Sequence, residues 1–181
     1  MVANWDVYAW LRQRGAETIK HPGGTLYAHL CRVHDRLGGL GLDTDVQLAG
    51  LAHAVYGTDG FDVVLLDRTN RAPLRSLIDE PAEHLVYLYG ACDRRRTWRR
   101  LADTGEFVNR FTNLVETLSR AQLRPFVDLS IVNELDVVEQ DPAVADRHGA
   151  YLRALFSSWV SVASPQVTHD AQRVLGVASS S

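Results

Sequence analysis

Apolar residues recur at three- and four-residue intervals along most of the chain, which predicts a mostly helical protein. The clearest pattern begins at Leu26 and ends at the Gly-rich segment GGLG, residues 38–41. A second pattern follows from the candidate cap Asp43 or Thr44 and is apolar on nearly all sides, as in a central helix. These patterns predict two adjacent helices joined by a glycine turn, after a first turn at Pro22.

Cap residues, prolines and glycines divide the rest of the chain into further predicted helices. They are predicted at residues 4–14, 73–79 and 81–92, from the capping box at Ser119 to about Gln140, from Pro142 onwards, and from Pro165. The last two are expected to occupy residues 142–178, followed by a frayed end VASSS.

Two segments break the helical pattern. Residues 106–118 alternate in part between apolar and polar side chains, which predicts a short hairpin turning near Thr112 and Asn113. The apolar run VVLL, residues 63–66, fits either a short strand or a helical turn. The expected fold is therefore all-α with a small β-hairpin.

Length and composition favour one globular domain over residues 1–181, with 46% hydrophobic and 23% charged residues. The net charge of −3 gives no indication of a nucleic-acid partner. No apolar run approaches the roughly 18 residues of a membrane span, and the N-terminus lacks a basic segment followed by an apolar one. We expect a cytoplasmic protein without a membrane partner, in which Cys31 and Cys92 are buried free thiols.

The candidate chemistry centres on His29 and His53, which lie in the two adjacent predicted helices. Two imidazoles facing each other in a helical core are typical of a metal site or a proton-transfer site. His21, before a proline, is interpreted as a turn residue, and His34 as a surface residue.

Four segments carry a resemblance to a known family: LYAHL, AGLAHAVYGT, AEHLVYLYGACDR and VNELDVVEQ. Together, over about residues 20–145, they resemble the HD-domain superfamily. They resemble more narrowly an uncharacterised HD-like bacterial family whose second motif is of the HSxYGT type. The resemblance implies an all-helical core in which His29 matches the first histidine and His53 the histidine of the HD pair. It also implies a hydrolase, because hydrolysis is the superfamily's commonest chemistry.

The chain departs from the HD pattern at two positions. Ala54 stands where the HD aspartate would be, and Asn133 stands where the last aspartate would be, with Asp128 as the alternative alignment. Both departures remove a negative charge that a hard divalent cation prefers. The usual metal-activated hydroxide mechanism is therefore in question, and a third ligand is sought among His34, His84, Glu83 and Asp128.

The arginine-rich segment DRRRTWRR, residues 93–100, has two interpretations. The guanidinium groups could bind phosphate or carboxylate, or the segment could be a solvated helix end whose cations face the negative end of the helix dipole. The second interpretation is favoured, although Arg94 remains a candidate for binding substrate.

The expected function is an HD-like enzyme that acts on a small polar metabolite, with hydrolysis as the default reaction. The alternatives are a non-catalytic small-molecule binding protein and a metal-dependent oxygenase. Either no cofactor or a divalent transition metal (Fe, Mn or Zn) is expected. The candidate catalytic residues are His29, His53, Tyr56, Thr58 and Asn133; the candidate substrate-binding residues are Glu83, Arg94 and Glu134; the candidate metal ligands are His29, His53 and Asp128.

Overall fold

The computed structural model describes residues 4–176 and is mostly helical, as the sequence predicts, with two small antiparallel strand pairs. The elements in chain order are α1 (Asn4–Gln13), β1 (Lys20–His21), β2 (Gly24–Thr25), α2 (Leu26–Gly39), α3 (Thr44–Ala52), α4 (Ala72–Ile78), α5 (Glu80–Ala91), α6 (Arg94–Thr104), β3 (Glu106–Asn109), β4 (Leu114–Thr117), α7 (Arg120–Gln140), α8 (Pro142–Ser158) and α9 (Pro165–Leu175).

The centre of the fold is formed by α2, α3, α5 and α7. The helix α3 packs against the other three, and α7 also packs against α2 and α5. Fully buried leucines lie on both sides of these contacts, including Leu30, Leu51 and Leu135. Burial of such side chains is the main favourable contribution to folding, at about 25 cal/mol per Å² of apolar surface. The predicted central position of the second apolar helix is confirmed.

The closest contact in this core is between α2 and α3 at Gly50. A side-chain carbon added there would overlap Leu37 and come within 3.3 Å of Val33, both on α2. Only a glycine lets the two backbones approach this closely. The close approach also holds the first turn of α2, which carries His29, next to the end of α3, where His53 lies.

The helix α7 supplies the other side of the site. It begins at Ser119, whose hydroxyl accepts the Gln122 N–H while the Gln122 side chain accepts the Ser119 N–H. This capping box satisfies two backbone donors that would otherwise lack partners. The helix then continues for 21 residues, and its buried face includes Asn133 and Asp136.

The predicted hairpin of residues 106–118 is confirmed, because β3 pairs with β4 and the four intervening residues form the turn. A second pair, β1 with β2, encloses the Pro22–Gly23 turn and was not predicted. The run VVLL is neither strand nor helix; it belongs to the loop between α3 and α4. Strands of two residues are too short to leave an alternating pattern in the sequence.

The interpretation of residues 93–100 as a helix end is wrong. Asp93 caps the start of α6 by accepting the Arg96 N–H, so the arginines lie from the first residue of the helix onwards. Arg94, Arg95 and Arg96 therefore lie at the positive end of the helix dipole, and Arg99 and Arg100 lie in the middle of the helix.

The predicted C-terminal limit at residue 178 and the frayed end VASSS fall outside the described residues, except that α9 ends at Leu175. Within residues 4–176, no helix is long and apolar enough to cross a membrane.

Candidate functional site

The structure brings His29 and His53 together in the core. His29 lies in the first turn of α2 and is 1% exposed; His53 follows the last residue of α3 and is 2% exposed. Their rings meet edge to face with centroids 5.1 Å apart, and the two Nε2 atoms are 3.3 Å apart.

Each of these imidazoles is held through its other nitrogen. His29 Nδ1 lies 2.6 Å from Asp136 Oδ2, and His53 Nδ1 lies 2.7 Å from the Gly50 carbonyl oxygen. A carboxylate and a carbonyl can only accept, so Nδ1 is the donor in both rings. In their neutral forms, both histidines therefore present the Nε2 lone pair to each other.

Asn133 adds a third acceptor at the same point. Its Oδ1 lies 3.0 Å from His29 Nε2, while its Nδ2 donates to Glu134 Oε1 at 2.9 Å. Because the Glu134 carboxylate only accepts, the amide must turn its oxygen towards His29. An imidazole nitrogen and an amide oxygen thus both lie next to His29 Nε2, and a proton on that nitrogen would be donated to them.

Burial favours the neutral form of His53. Desolvation, reinforced by the neighbouring His29, lowers the pKa of His53 to about 3. This histidine therefore acts as an acceptor over the whole physiological pH range.

Asp136 is fixed by a bidentate ion pair. Arg32 Nε and one terminal nitrogen donate to its two oxygens at 2.7 and 2.9 Å, and the guanidinium also donates to the carbonyls of Pro22 and Gly23. Burial alone would raise the pKa of Asp136, but the hydrogen bonds from His29 and Arg32 hold it below its usual range. Arg32 therefore keeps Asp136 ionised and ties the β1–β2 turn to the site.

His21 is not the isolated turn residue that the sequence indicated. Its ring stacks on that of His29 with centroids 4.0 Å apart and planes inclined by 22°, and it meets Phe61 edge to face. Partial burial and the adjacent His29 lower the pKa of His21 to about 4. It is a third imidazole at the site.

A cavity of about 220 Å³ opens at this cluster. Among the predicted site residues, it contains His29, His53, Thr58, Asn133, Arg94 and Glu134 in its wall. The remaining lining residues are His21, Pro22, Leu26, Ala54, Asp59, Gly60, Phe61 and Val137. Segments distant in sequence, residues 21–29, 53–61, Arg94 and 133–137, therefore contribute to one small cavity.

Arg94 lies in the cavity wall but its charge is already paired. It donates to Glu134 at 2.9 Å and to the Tyr89 hydroxyl at 2.8 Å, and the guanidinium lies 4.8 Å from the Trp98 ring centroid. An anionic ligand would have to compete with Glu134 for this cation.

Tyr56 and Glu83 were expected in the site and are not part of it. The Tyr56 hydroxyl donates to Glu83 at 2.6 Å, and Arg71 donates to both Glu83 oxygens at 2.8 Å. Glu83 is fully buried and does not line the cavity. The ion pair between Arg71 and Glu83 anchors the start of α4 to α5. A buried carboxylate requires such partners, because removing its charge from water is costly.

Asp128, the third candidate metal ligand, does not line the cavity. Its two oxygens accept the backbone N–H and the hydroxyl of Ser164, the residue that precedes α9. It lies five residues before Asn133 on α7, which places it about 140° around the helix. Across residues 4–176, no group of three His, Cys, Asp or Glu side chains is arranged to hold a metal ion.

The interpretation of His34 as a surface residue is corrected too. Its side chain is 12% exposed, and its Nδ1 lies 3.1 Å from the Tyr8 hydroxyl. It packs between α1 and α2, away from the cavity wall.

Sequence reasoning missed Asp136 and Arg32 as site residues. Both follow a correctly placed residue by three positions, Asp136 after Asn133 and Arg32 after His29, and such pairs share a helix face. The i, i+3 spacing could therefore have identified both residues from the sequence.

Two larger cavities lie elsewhere. One of about 420 Å³ lies between α8 and α9, and one of about 340 Å³ lies among α3, α5 and α7. Neither is lined by His29, His53 or Asn133. The chemistry of the smaller cavity makes it the candidate site.

A family model described as a domain of unknown function (DUF6817) matches residues 10–94. This segment contains both central histidines but ends before α7. No curated protein and no solved structure shows a significant match to the chain.

Proposed function

We propose that this protein is an HD-like enzyme that hydrolyses a small polar metabolite, with His29 as the general base. The observation that carries the proposal is that His53 Nε2 and Asn133 Oδ1 both lie within hydrogen-bonding distance of His29 Nε2 beside a cavity. A proton accepted by His29 Nε2 would lie within hydrogen-bonding distance of His53 Nε2 and Asn133 Oδ1. These hydrogen bonds would stabilise the imidazolium that forms when His29 acts as a general base.

The surrounding groups suit this role. Asp136 fixes the Nδ1–H tautomer of His29 and lies against the positive charge that develops on the ring. In the proposed reaction, an attacking water gives one proton to His29 Nε2 while its oxygen forms the new bond to the substrate. The proton then passes from Nε2 to the leaving group as that bond breaks.

The resemblance to HD domains also implies a metal, and the donor set fits one in part. Two ligands bound to a tetrahedral metal at about 2.05 Å lie about 3.3 Å apart, and the two Nε2 atoms are 3.3 Å apart. Each imidazole also has the partner on its second nitrogen that metal-binding histidines usually have. His29, His53 and Asn133 would hold a borderline transition metal such as Zn²⁺, Mn²⁺ or Fe²⁺ better than Mg²⁺, because nitrogen donors dominate. Such an ion would supply Lewis-acid activation of water.

The test is a hydrolysis screen on the purified protein. Small esters, amides and phosphoesters would be incubated with metal-free protein and with protein given Zn²⁺, Mn²⁺ or Fe²⁺, and products followed by mass spectrometry. We expect turnover of at least one substrate, and a loss of about 10²–10⁴-fold in His29→Gln, the range for a general base.

The matched control is His148→Gln, which makes the same change at an exposed position on α8. It should leave turnover unchanged. Circular dichroism and thermal unfolding would check that both variants fold. Retention of wild-type turnover by a folded His29→Gln protein would refute the catalytic role; binding of a ligand without any turnover would favour a binding protein instead.

A further inference from the structure

We propose that the cavity binds its substrate through a protonated amine, so that the substrate class is a small cationic amine and not a phosphate or carboxylate. This inference concerns the same site as the proposed function. It rests on the proposed function only in that the ligand is called a substrate. It does not depend on which bond is hydrolysed.

The first observation is the charge of the cavity wall. Two carboxylates, Asp59 and Glu134, line it against a single guanidinium, that of Arg94, which leaves a difference of one negative charge.

The second observation is that each carboxylate has one oxygen to spare. Asp59 Oδ2 accepts the Arg94 backbone N–H at 2.8 Å, and Glu134 Oε1 accepts from Arg94 and Asn133 at 2.9 Å. The other oxygen of each accepts no hydrogen bond from any residue of the described chain. Half-satisfied carboxylates at the wall of a cavity favour a ligand that brings donors and positive charge.

The third observation is independent of the acidic residues. His53 is 2% exposed and lines the cavity, and its Nε2 faces only the lone pair of His29 Nε2 when both rings are neutral. Asn133 Oδ1 points to the same place. The single proton that His29 Nε2 can carry satisfies only one of these two nearly fully buried acceptors, and a ligand N–H or a cation would satisfy the other.

The wall offers little to an anion. Arg94 is neutralised by Glu134 and held by Tyr89, and the remaining lining side chain with a simple donor is the Thr58 hydroxyl. The other faces, formed by His21 and Phe61, can pack against the methylene groups of an alkyl amine. The cavity of about 220 Å³ restricts that amine to a few carbon atoms.

Three ligands of equal chain length test the proposal: 4-aminobutan-1-ol, 1,4-butanediol and succinate. Binding to the full chain would be measured by isothermal titration calorimetry at pH 7. A charge-assisted hydrogen bond is roughly twice as strong as a neutral one, so we expect the amine to bind about ten-fold more tightly than the diol. Succinate should bind most weakly. Each titration would be run with and without prior chelator treatment, so that a metal ion at the histidines is seen as a difference between the two arms.

The variant Asp59→Asn removes the charge and keeps an oxygen to accept the Arg94 N–H. It should weaken binding of the amine about ten-fold and leave binding of the diol nearly unchanged. The control is Asp62→Asn, the same change in the same loop, where the carboxylate is 89% exposed. The variant Glu134→Gln gives a second reading if Asp59→Asn fails to fold.

Equal binding of amine and diol, tighter binding of succinate in either arm, or an amine affinity that neither variant lowers would overturn the proposal. These outcomes are separable from failure of the proposed function. Amine selectivity without turnover would remove the hydrolase and leave the amine site, whereas turnover of uncharged substrates without amine selectivity would do the reverse.

Discussion

Replacing Glu83 by glutamine should destabilise the fold without altering the cavity. The carboxylate is fully buried and receives three hydrogen bonds, one from Tyr56 and two from Arg71. An amide at this position keeps one acceptor but turns an N–H₂ group or an uncharged oxygen towards the guanidinium. Breaking a buried ion pair costs roughly 3–5 kcal/mol.

The magnitude is smaller here because Arg71 keeps some access to water. Its side chain is 25% exposed, so solvent compensates part of its lost partner. We therefore expect Glu83→Gln to lower the free energy of unfolding by about 2–3 kcal/mol, which corresponds to a fall in Tm of about 4–12 °C for a chain of this size. Urea unfolding at pH 7, followed by tryptophan fluorescence, would measure it.

The effect should also depend on pH. Burial alone would raise the pKa of Glu83, but hydrogen bonds from Arg71 and Tyr56 hold it below its ordinary value. A carboxyl group with a lowered folded pKa stabilises the protein above its unfolded pKa of about 4.3 and loses that contribution as the pH falls through the folded pKa. The difference between wild type and Glu83→Gln should therefore be full at pH 7 and shrink below about pH 4.

The control is Glu80→Gln, the same change one turn earlier on α5, where the side chain is exposed. It should cost no more than about 0.5 kcal/mol. The reasoning is refuted if the two variants are equally stable, or if Glu83→Gln weakens ligand binding while leaving stability intact.

Three further predictions concern the site and the helices that form it. Asp136→Asn should lower turnover about 10–100-fold, measured on whichever substrate the screen identifies, because the tautomer and orientation of His29 are no longer fixed; unchanged turnover would contradict this role. Folded His53 resists protonation down to about pH 3, whereas the unfolded chain accepts the proton near pH 6.5. The contribution of His53 to the free energy of unfolding should therefore fall as the pH drops below about 6.5. Urea unfolding at pH 7 and pH 5 should show a smaller loss of stability between these two pH values in His53→Gln than in wild type. Gly50→Ala should cost about 1–3 kcal/mol in thermal unfolding, since the added methyl group overlaps a leucine on α2; a neutral result would show that α2 and α3 can separate freely.

The meeting of His29 and His53 could be foreseen because helical periodicity and the Gly-rich turn place them in antiparallel neighbours. The capping box at Ser119 likewise marks the start of α7, and that helix places Asn133 opposite the pair. These features are encoded within a few residues of each position, which is why the sequence carries them.

The errors arose where a side chain chooses a partner far away in sequence. Glu83 was assigned to substrate on the resemblance of the AEHLVYLYGACDR segment, and its ion pair with Arg71 on another element leaves no periodic signal in the sequence. His21 was set aside because its stacking on His29 depends on the small β1–β2 turn, which Arg32 holds in place. Alternation and periodicity report which face is buried, not which polar groups pair inside it.

Because α7 supplies part of the site, sequence similarity that does not include α7 does not imply the same site chemistry. The segment that matches the family model, residues 10–94, contains both imidazoles but neither Asn133 nor Asp136. A protein alike only over that segment would have two histidines with no amide beside them and no carboxylate behind them. If the proposed function holds, the same activity is expected only of proteins that also carry a later helix with an Asn and an Asp three positions apart. The proposed site extends about forty residues beyond the matching segment.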